Sequence, residues 1–498
     1  MKQSMPPWLK RLLPQWATVT LSVLLSWIAL SAVITPNNDG MLYIEAARLY
    51  QEGGFAAASG LFDWNGFARG FVSANIAWTA ALTGLELEHA AFLLCLLFIA
   101  GTCALIVSCC EELFPGTAWW AVVAVLTIPS LNGYRDYILR EFGAWFFVFL
   151  ALYLLLVWMR KGQRRRILVA TVAIVLAAMY RPESLIFLLL LPLAMLLKQP
   201  EWLSAFRNPR FTAAVLFVAL VGAAGLWGLS HWVEAIGRLT ERNNPFRETS
   251  ALTSSVELMA GILPKWSAGE AGLILVVGLL ALIPVKLLGT LGLLVVPVLT
   301  ALSRRSSIYT SPGLFLFLAA FLLHLVLLVW FVLERQFMTS RYVTVASLLL
   351  LPLAAVGLKQ LFERGRLWRW SISVLTVLLI ISNVVSTSPP KTRYLDAANW
   401  LSTQAVEQHR VSFETPEVAH LIGWSFTQAA RGMNSRDEAL AALKAGQLDM
   451  LMLEIRAGES QVELALLDEG FELVARFSDD RKRTILAVRF ADRNWQVE

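Results

Sequence analysis

The number of long apolar runs constrains this chain more than any other feature. They lie near residues 16–35, 88–108, 117–131, 142–159, 167–180, 184–197, 211–233, 284–303, 312–333, 342–358 and 370–387. Several exceed the roughly 18 apolar residues that mark a membrane-spanning helix. With 57% of 498 residues hydrophobic and only 16% charged, no aqueous fold could hide them; a soluble domain carries about 25% charged residues. A membrane β-barrel would instead show alternating strands of about ten residues, and none is visible. The expected fold class is a polytopic α-helical membrane protein of about eleven transmembrane helices.

Charge sets the orientation. Taking the N-terminus as cytoplasmic, every dense basic cluster falls on the same side. These are Arg160 to Arg166, then Lys198, Arg207 and Arg210, then Arg304 and Arg305, then Lys359 to Arg369. Lys2, Lys10 and Arg11 precede the stretch Trp16 to Thr35, which is too long for a signal-peptide core and reads as an uncleaved first span. Residues 270–303 could hold two short spans. The preferred reading is an interfacial helix followed by one span, with Lys286 snorkelling at the outer mouth. Cys95, Cys103, Cys109 and Cys110 all fall in or beside one apolar run and read as small packing residues, without disulfide or zinc spacing.

The outward side then carries a long first loop over 36–87, a second over 234–283 with Arg238, Arg242, Arg247 and Lys265, and a tail from about residue 388. From there on, 13 Lys and Arg face 17 Asp and Glu, so the positive excess belongs to the membrane loops and is no nucleic-acid signature. The expected domains are 1–387, a transmembrane unit, and 388–498, a small α/β extracytoplasmic unit. In the tail, helices are expected over Tyr394–Leu401, Asp437–Ala445 and Val462–Asp468. Strands are expected over Arg410–Glu414 and Leu448–Ile455, with a hairpin of Phe471–Phe477 and Thr484–Phe490. No nucleophile, metal or nucleotide motif is visible there, so a recognition or structural role is expected.

Outward charges that the positive-inside rule does not favour are the informative ones. Arg135, Arg140 and Glu141 share a short loop; Arg181 and Glu183 occupy the break Tyr180-Arg-Pro-Glu-Ser; Arg335 and Arg341 fill another loop before Tyr342. Arginines converging at a membrane surface suit an anionic ligand, because guanidinium binds phosphate bidentately. Asp39 follows the first span and precedes the amphipathic stretch Met41 to Gln51, expected to lie along the membrane surface. It could take a proton from an acceptor hydroxyl or cap that helix. His324 lies mid-span; an ionisable residue there is a functional candidate by default, although a hydrogen bond to a neighbouring helix would suffice.

An acid opening the first outward loop, then Tyr43 and a surface helix, resembles the GT-C superfamily of membrane glycosyltransferases, in particular its protein O-mannosyltransferase-like and aminoarabinose (lipid A) transferase-like members. Gly84-Leu85-Glu86, Arg140-Glu141, Arg160 to Arg166, Tyr180-Arg181-Pro182 and Arg341-Tyr342 agree with it. The resemblance implies sugar transfer from a polyprenyl-phosphate donor to a glycan, lipid A or protein acceptor on the outer face of the bacterial inner membrane. It implies Asp39 and Glu141 as catalytic acids, Arg181, Arg341 and Tyr342 at the donor phosphate, and Arg69, Arg135, Arg140, Glu183 and Arg335 as further substrate contacts. Two departures stand out: Gly40 follows Asp39 where the family often has a second acid, and Asn65 to Arg69 replaces a proline-containing motif. No cofactor is required beyond the lipid-linked donor, although dispersed carboxylates could bind a divalent metal. A flippase or transporter of lipid-linked saccharides is the competing reading, but transporters tend to show repeats and charges along a path through the bilayer. Here the charges gather at one face.

Overall fold

The computed structural model describes residues 7–62, 66–198, 249–303, 311–385, 391–404, 406–425, 436–456, 459–479 and 483–491. The span expected near 211–233, together with Arg238, Arg242, Arg247, Arg304 and Arg305, lies outside them.

Two helices form the centre of the membrane part. α4 (Leu87–Leu113) and α7 (Glu141–Lys161) are apolar nearly all round, which suits helices buried among other helices rather than facing water. α7 packs between α4 and α8 (Arg165–Tyr180), and α1 (Pro7–Leu30) covers α4 from the other side. The four cysteines are free and buried in this core, as the sequence suggests. In the chain between α1 and α4 come α2 (Asn38–Gly60) and α3 (Gly66–Thr83), packed on each other. Then come α5 (Ala118–Thr127), α6 (Pro129–Asn132), a 3-10 helix (Pro182–Leu189), α9 (Leu190–Leu197) and α10 (Thr249–Ile262). The rest are α11 (Ala271–Leu291), α12 (Val295–Ser303), α13 (Pro312–Arg335), α14 (Ser340–Leu349), α15 (Leu351–Glu363) and α16 (Arg366–Val384).

Among the described residues, five helical stretches are long and apolar enough to cross a membrane, and α14 with α15, bent by 59°, makes a sixth. The protein is a multi-pass membrane protein. Among the described residues, length and composition do not confirm the expected eleven: α5, α8 and the stretch 182–197 are shorter than the about 20 residues, at 1.5 Å each, of a full crossing. Pro284 lies inside α11, and the helix breaks at Gly292 (φ 55°). α11 lies against α14 and α12 against α15. On α16, Leu367, Trp370, Val374, Val377 and Leu378 are exposed, a face for lipid rather than water.

The tail builds a four-stranded sheet of β1 (Val411–Phe413), β2 (Met450–Arg456), β3 (Phe471–Ser478) and β4 (Arg483–Phe490) in the order β1-β2-β4-β3. β1 and β2 are parallel and the other two pairings antiparallel. The expected strands and hairpin are present, as are helices α17 (Thr392–Leu401), α19 (Arg436–Lys444) and α20 (Ser460–Asp468). The short α18 (Pro416–Leu421) was not foreseen; it docks on α2. Within α18, Glu417 is buried and its Oε2 has no hydrogen-bond partner, so burial raises its pKa. An acid whose folded pKa is raised stabilises the fold when protonated, and that contribution is lost as pH rises through the folded value. Glu417→Gln is expected to raise the melting temperature at pH 7 by roughly 2–4 °C. The gain should shrink as pH falls toward the unfolded carboxyl value of about 4.3; thermal unfolding followed across that range checks both.

Candidate active site

Four helix ends deliver the charged residues. Pro182 disfavours a helical conformation in the residue before it, so α8 stops and Arg181 is extended (φ −140°, ψ 101°). A cation at a helix C-terminus and a carboxylate at an N-terminus are both favoured by the helix dipole. Arg181 takes the first position, and Glu141, opening α7, takes the second. The two meet because Gly143 lets α7 approach α8: a Cβ there would stand 2.5 Å from the Tyr180 ring. Arg181 Nη1 donates to Glu141 Oε1 at 3.1 Å, and Arg181 Nη2 pairs with Glu183.

Arg341, in the first turn of α14, approaches the same Glu141 oxygen at 3.8 Å. Its Nη1 donates to Asp39 Oδ2 at 2.5 Å and its Nη2 to the Tyr342 hydroxyl at 3.3 Å. Both guanidinium groups lie near the Tyr342 ring, 5.0 Å from its centroid for Arg181 and 5.2 Å for Arg341. Two cations thus share one carboxylate oxygen and one aromatic ring. Burial opposes the charge of Arg181, and the carboxylates of Glu183 and Glu141 more than offset it, so its pKa is raised and it stays charged. Glu183 is likewise penalised by burial but held below its usual value by Arg181 and Arg140.

Asp39 sits in the first turn of α2, whose N-cap is Asn37; the capping alternative for Asp39 therefore falls away. Asn37 fixes α2 instead: its Nδ2 donates to the Ile138 carbonyl at 3.3 Å and its Oδ1 accepts from the Ile138 amide at 2.8 Å. Gly40 is needed by this contact, because a Cβ would stand 2.9 Å from Ile138 Cβ. The acid missing after Asp39 therefore has a packing reason. The first turns of α2 are buried, with Met41, Tyr43, Ile44 and Glu45 inside. Burial pushes the Tyr43 hydroxyl up to about 12, with Arg140 opposing and Glu141 and Asp39 adding to the shift. A neutral phenol therefore stands among these charges, and only its place in the first loop hinted at it in the sequence.

A cavity of about 420 Å³ opens beside the cluster. Glu141, Arg181, Glu183, Arg335, Arg341 and Tyr342 line its polar part, while Ala144, Trp145, Val148, Phe187, Leu328 and Val345 line an apolar part that continues down α7 and α13. Arg335, paired with Glu334 at 3.4 Å, reaches the wall but not the inner cluster. His324 is also at the wall; its Nε2 lies 2.9 Å from the Tyr342 carbonyl, the neighbouring-helix bond foreseen for it.

The other candidates divide. Arg140 is buried beside the cluster, and its charge acts on Tyr43 and Glu183. Arg69 lies over the Phe62 ring at 5.3 Å, within electrostatic reach of Tyr43 but away from the cavity wall. Arg135 differs from expectation. It is 2% exposed and donates to the Ser22 carbonyl (2.8 Å), Ser22 Oγ (2.9 Å), Ser26 Oγ (2.8 Å) and Asn132 Oδ1 (2.8 Å). A guanidinium so deeply bound to α1 ties the loop to the first helix and is not offered to a ligand. Among the described residues, no group of three or more His, Cys, Asp or Glu is placed to hold a metal ion. The sequence also gave no sign that Glu45 Oε1 would accept from Ser425 Oγ at 2.5 Å, or that His420 Nε2 would lie 3.0 Å from Glu88. These contacts seat the tail on the same side as Asp39.

Comparison with solved structures gives this arrangement a context. ArnT from Cupriavidus metallidurans, bound to undecaprenyl phosphate, superposes with a TM-score of 0.51 at 14% identity, over 95% of this chain and 97% of that one. The fold is the GT-C fold. An Archaeoglobus fulgidus oligosaccharyltransferase tethered to an acceptor peptide matches at TM-score 0.48 and 12% identity, over 99% of this chain and 75% of that one. The mycobacterial arabinofuranosyltransferase AftD matches at 0.43 and 14%, over 97% of this chain and 40% of that one. No protein-family model and no curated protein matches the chain by sequence. What the GT-C fold does here must therefore be argued from the site.

Proposed function

We propose that this protein is a glycosyltransferase that moves a sugar from a polyprenyl-phosphate donor to a glycan, lipid or protein acceptor at the outer face of the bacterial inner membrane. The observation that carries the reading is the two-part cavity. Its polar end offers Arg181, Arg341 and Tyr342, and its apolar end continues along α7 and α13. One amphiphile with an anionic head and an isoprenoid tail fits both parts at once. ArnT, which shares the fold, was crystallised with undecaprenyl phosphate.

In the proposed reaction the acceptor hydroxyl gives its proton to Asp39 while its oxygen attacks the anomeric carbon. The bond from that carbon to the phosphate oxygen breaks, and the electron pair leaves with polyprenyl phosphate. Arg181 and Arg341 stabilise the charge that develops on the leaving phosphate, as preorganised donors in a site shielded from water do. Attack opposite the leaving group inverts the anomeric configuration. Glu141 has another place in this scheme. It is 5% exposed on its side chain and held by two arginines, so it sets their spacing rather than shuttling a proton. Residues 1–387 form the transferase unit in this reading, and 388–498 an extracytoplasmic unit seated over the site.

The test is transfer itself. Purified protein in detergent, given a radiolabelled polyprenyl-phosphate sugar and a panel of envelope glycan and lipid acceptors, is expected to move label to one of them. Lipid scrambling in proteoliposomes with no transfer to any acceptor would support a flippase instead.

A further inference from the structure

The charges in the site are already matched. Arg140, Arg181 and Arg341 stand among Asp39, Glu141 and Glu183. An anionic phosphate entering such a set has to take a guanidinium contact away from a carboxylate, and the three acids are not equally held. Glu141 is the most buried and faces both Arg181 and Arg341. Glu183 is paired with Arg181 and also feels the charge of Arg140. Asp39 has Arg341 as its one ion-pair partner among the described residues; its side chain is 34% exposed, as is that of Glu183, which Arg140 helps to hold. It is the carboxylate that gives way most readily.

Geometry points the same way. Arg341 lines the cavity and Asp39 does not, so the guanidinium stands between the cavity and the Asp39 carboxylate. Its Nε is buried with no hydrogen-bond acceptor, leaving a donor unused beside the cluster. We propose that Arg341 exchanges its Asp39 partner for the donor phosphate, so that the carboxylate is freed for the acceptor hydroxyl only once the donor is in place. This rests on the reading of the cavity as the donor site. The exchange makes one residue a phosphate ligand and the device that orders the two substrates. Without it, Oδ2 of Asp39 remains occupied by Arg341 Nη1.

Affinity for undecaprenyl phosphate, measured in detergent at fixed salt, tests the exchange without needing turnover. Trp145 and Trp330 line the cavity and provide an intrinsic fluorescence signal. If Asp39 competes with phosphate for Arg341, Asp39→Asn should bind the lipid about twofold to fivefold more tightly, the range that a partly exposed ion pair commands. Asp39→Ser should behave alike. In an Arg341→Gln background the same Asp39 substitution should change nothing, because the shared group is gone. Equal tightening in both backgrounds would mean simple charge repulsion and would overturn the exchange. So would unchanged or weaker binding in Asp39→Asn and Asp39→Ser proteins of normal thermal stability. Failure of the wild-type protein to bind undecaprenyl phosphate at all would reject the donor-site reading itself, and the exchange with it.

Discussion

Asp39→Asn is expected to lower turnover by about 10²–10⁴-fold, the range that a positioned general base contributes, without raising the KM for the donor. The asymmetry between the two parameters follows from position. Asp39 touches Arg341 but lies off the cavity wall, so in the proposed reaction it faces the acceptor and not the lipid phosphate. Asparagine keeps the size and can still contact Arg341 through its amide oxygen, so α2 should remain where Asn37 and Gly40 lock it against Ile138. Initial rates against donor concentration at saturating acceptor would separate the two effects. Normal turnover in a folded Asp39→Asn protein would remove Asp39 from the mechanism, and Tyr43, buried beside it, would then be the next group to examine.

Arg181→Gln should cost about 10²–10³-fold in kcat/KM for the donor, comparable to the loss of one transition-state donor. It should also destabilise the protein, because Glu141 and Glu183 would lose a shared cation in a buried setting. The two consequences can be separated. Adding Glu183→Gln to Arg181→Gln removes one uncompensated carboxylate and should recover part of the thermal stability, but none of the activity. Recovery of both would make Arg181 a purely structural residue. Arg181→Lys is not expected to rescue, since a single ammonium cannot reproduce a fork that meets two carboxylates and lies near the Tyr342 ring.

How much of this was legible in the sequence depends on the range of the interaction. Arg181 could be singled out because Pro182 must end a helix there, a purely local effect. The strands and helices of the tail were legible for a similar reason, since apolar alternation and turn residues are local signals. Arg135 was not legible. In sequence it looks like Arg140, five residues away, yet one is consumed by Ser22 and Ser26 of the first helix and the other stands beside Glu183 and Tyr43. The break at Gly292 was not legible either: Pro284, a residue that usually ends or kinks a helix, is accommodated inside α11.

The sequence by itself determined that this chain lives in a membrane, because apolar runs of that length have no other stable solvent. It also sorted the charges into two sets by the expectation that basic clusters settle on the cytoplasmic side. Tertiary structure alone decided which of those charges form one site. Asp39 and Arg341 are 302 residues apart in the chain and 2.5 Å apart in space. No local pattern encodes such a pairing; it follows from how α2, α7, α8 and α14 pack, with Gly40 and Gly143 permitting two of the close approaches.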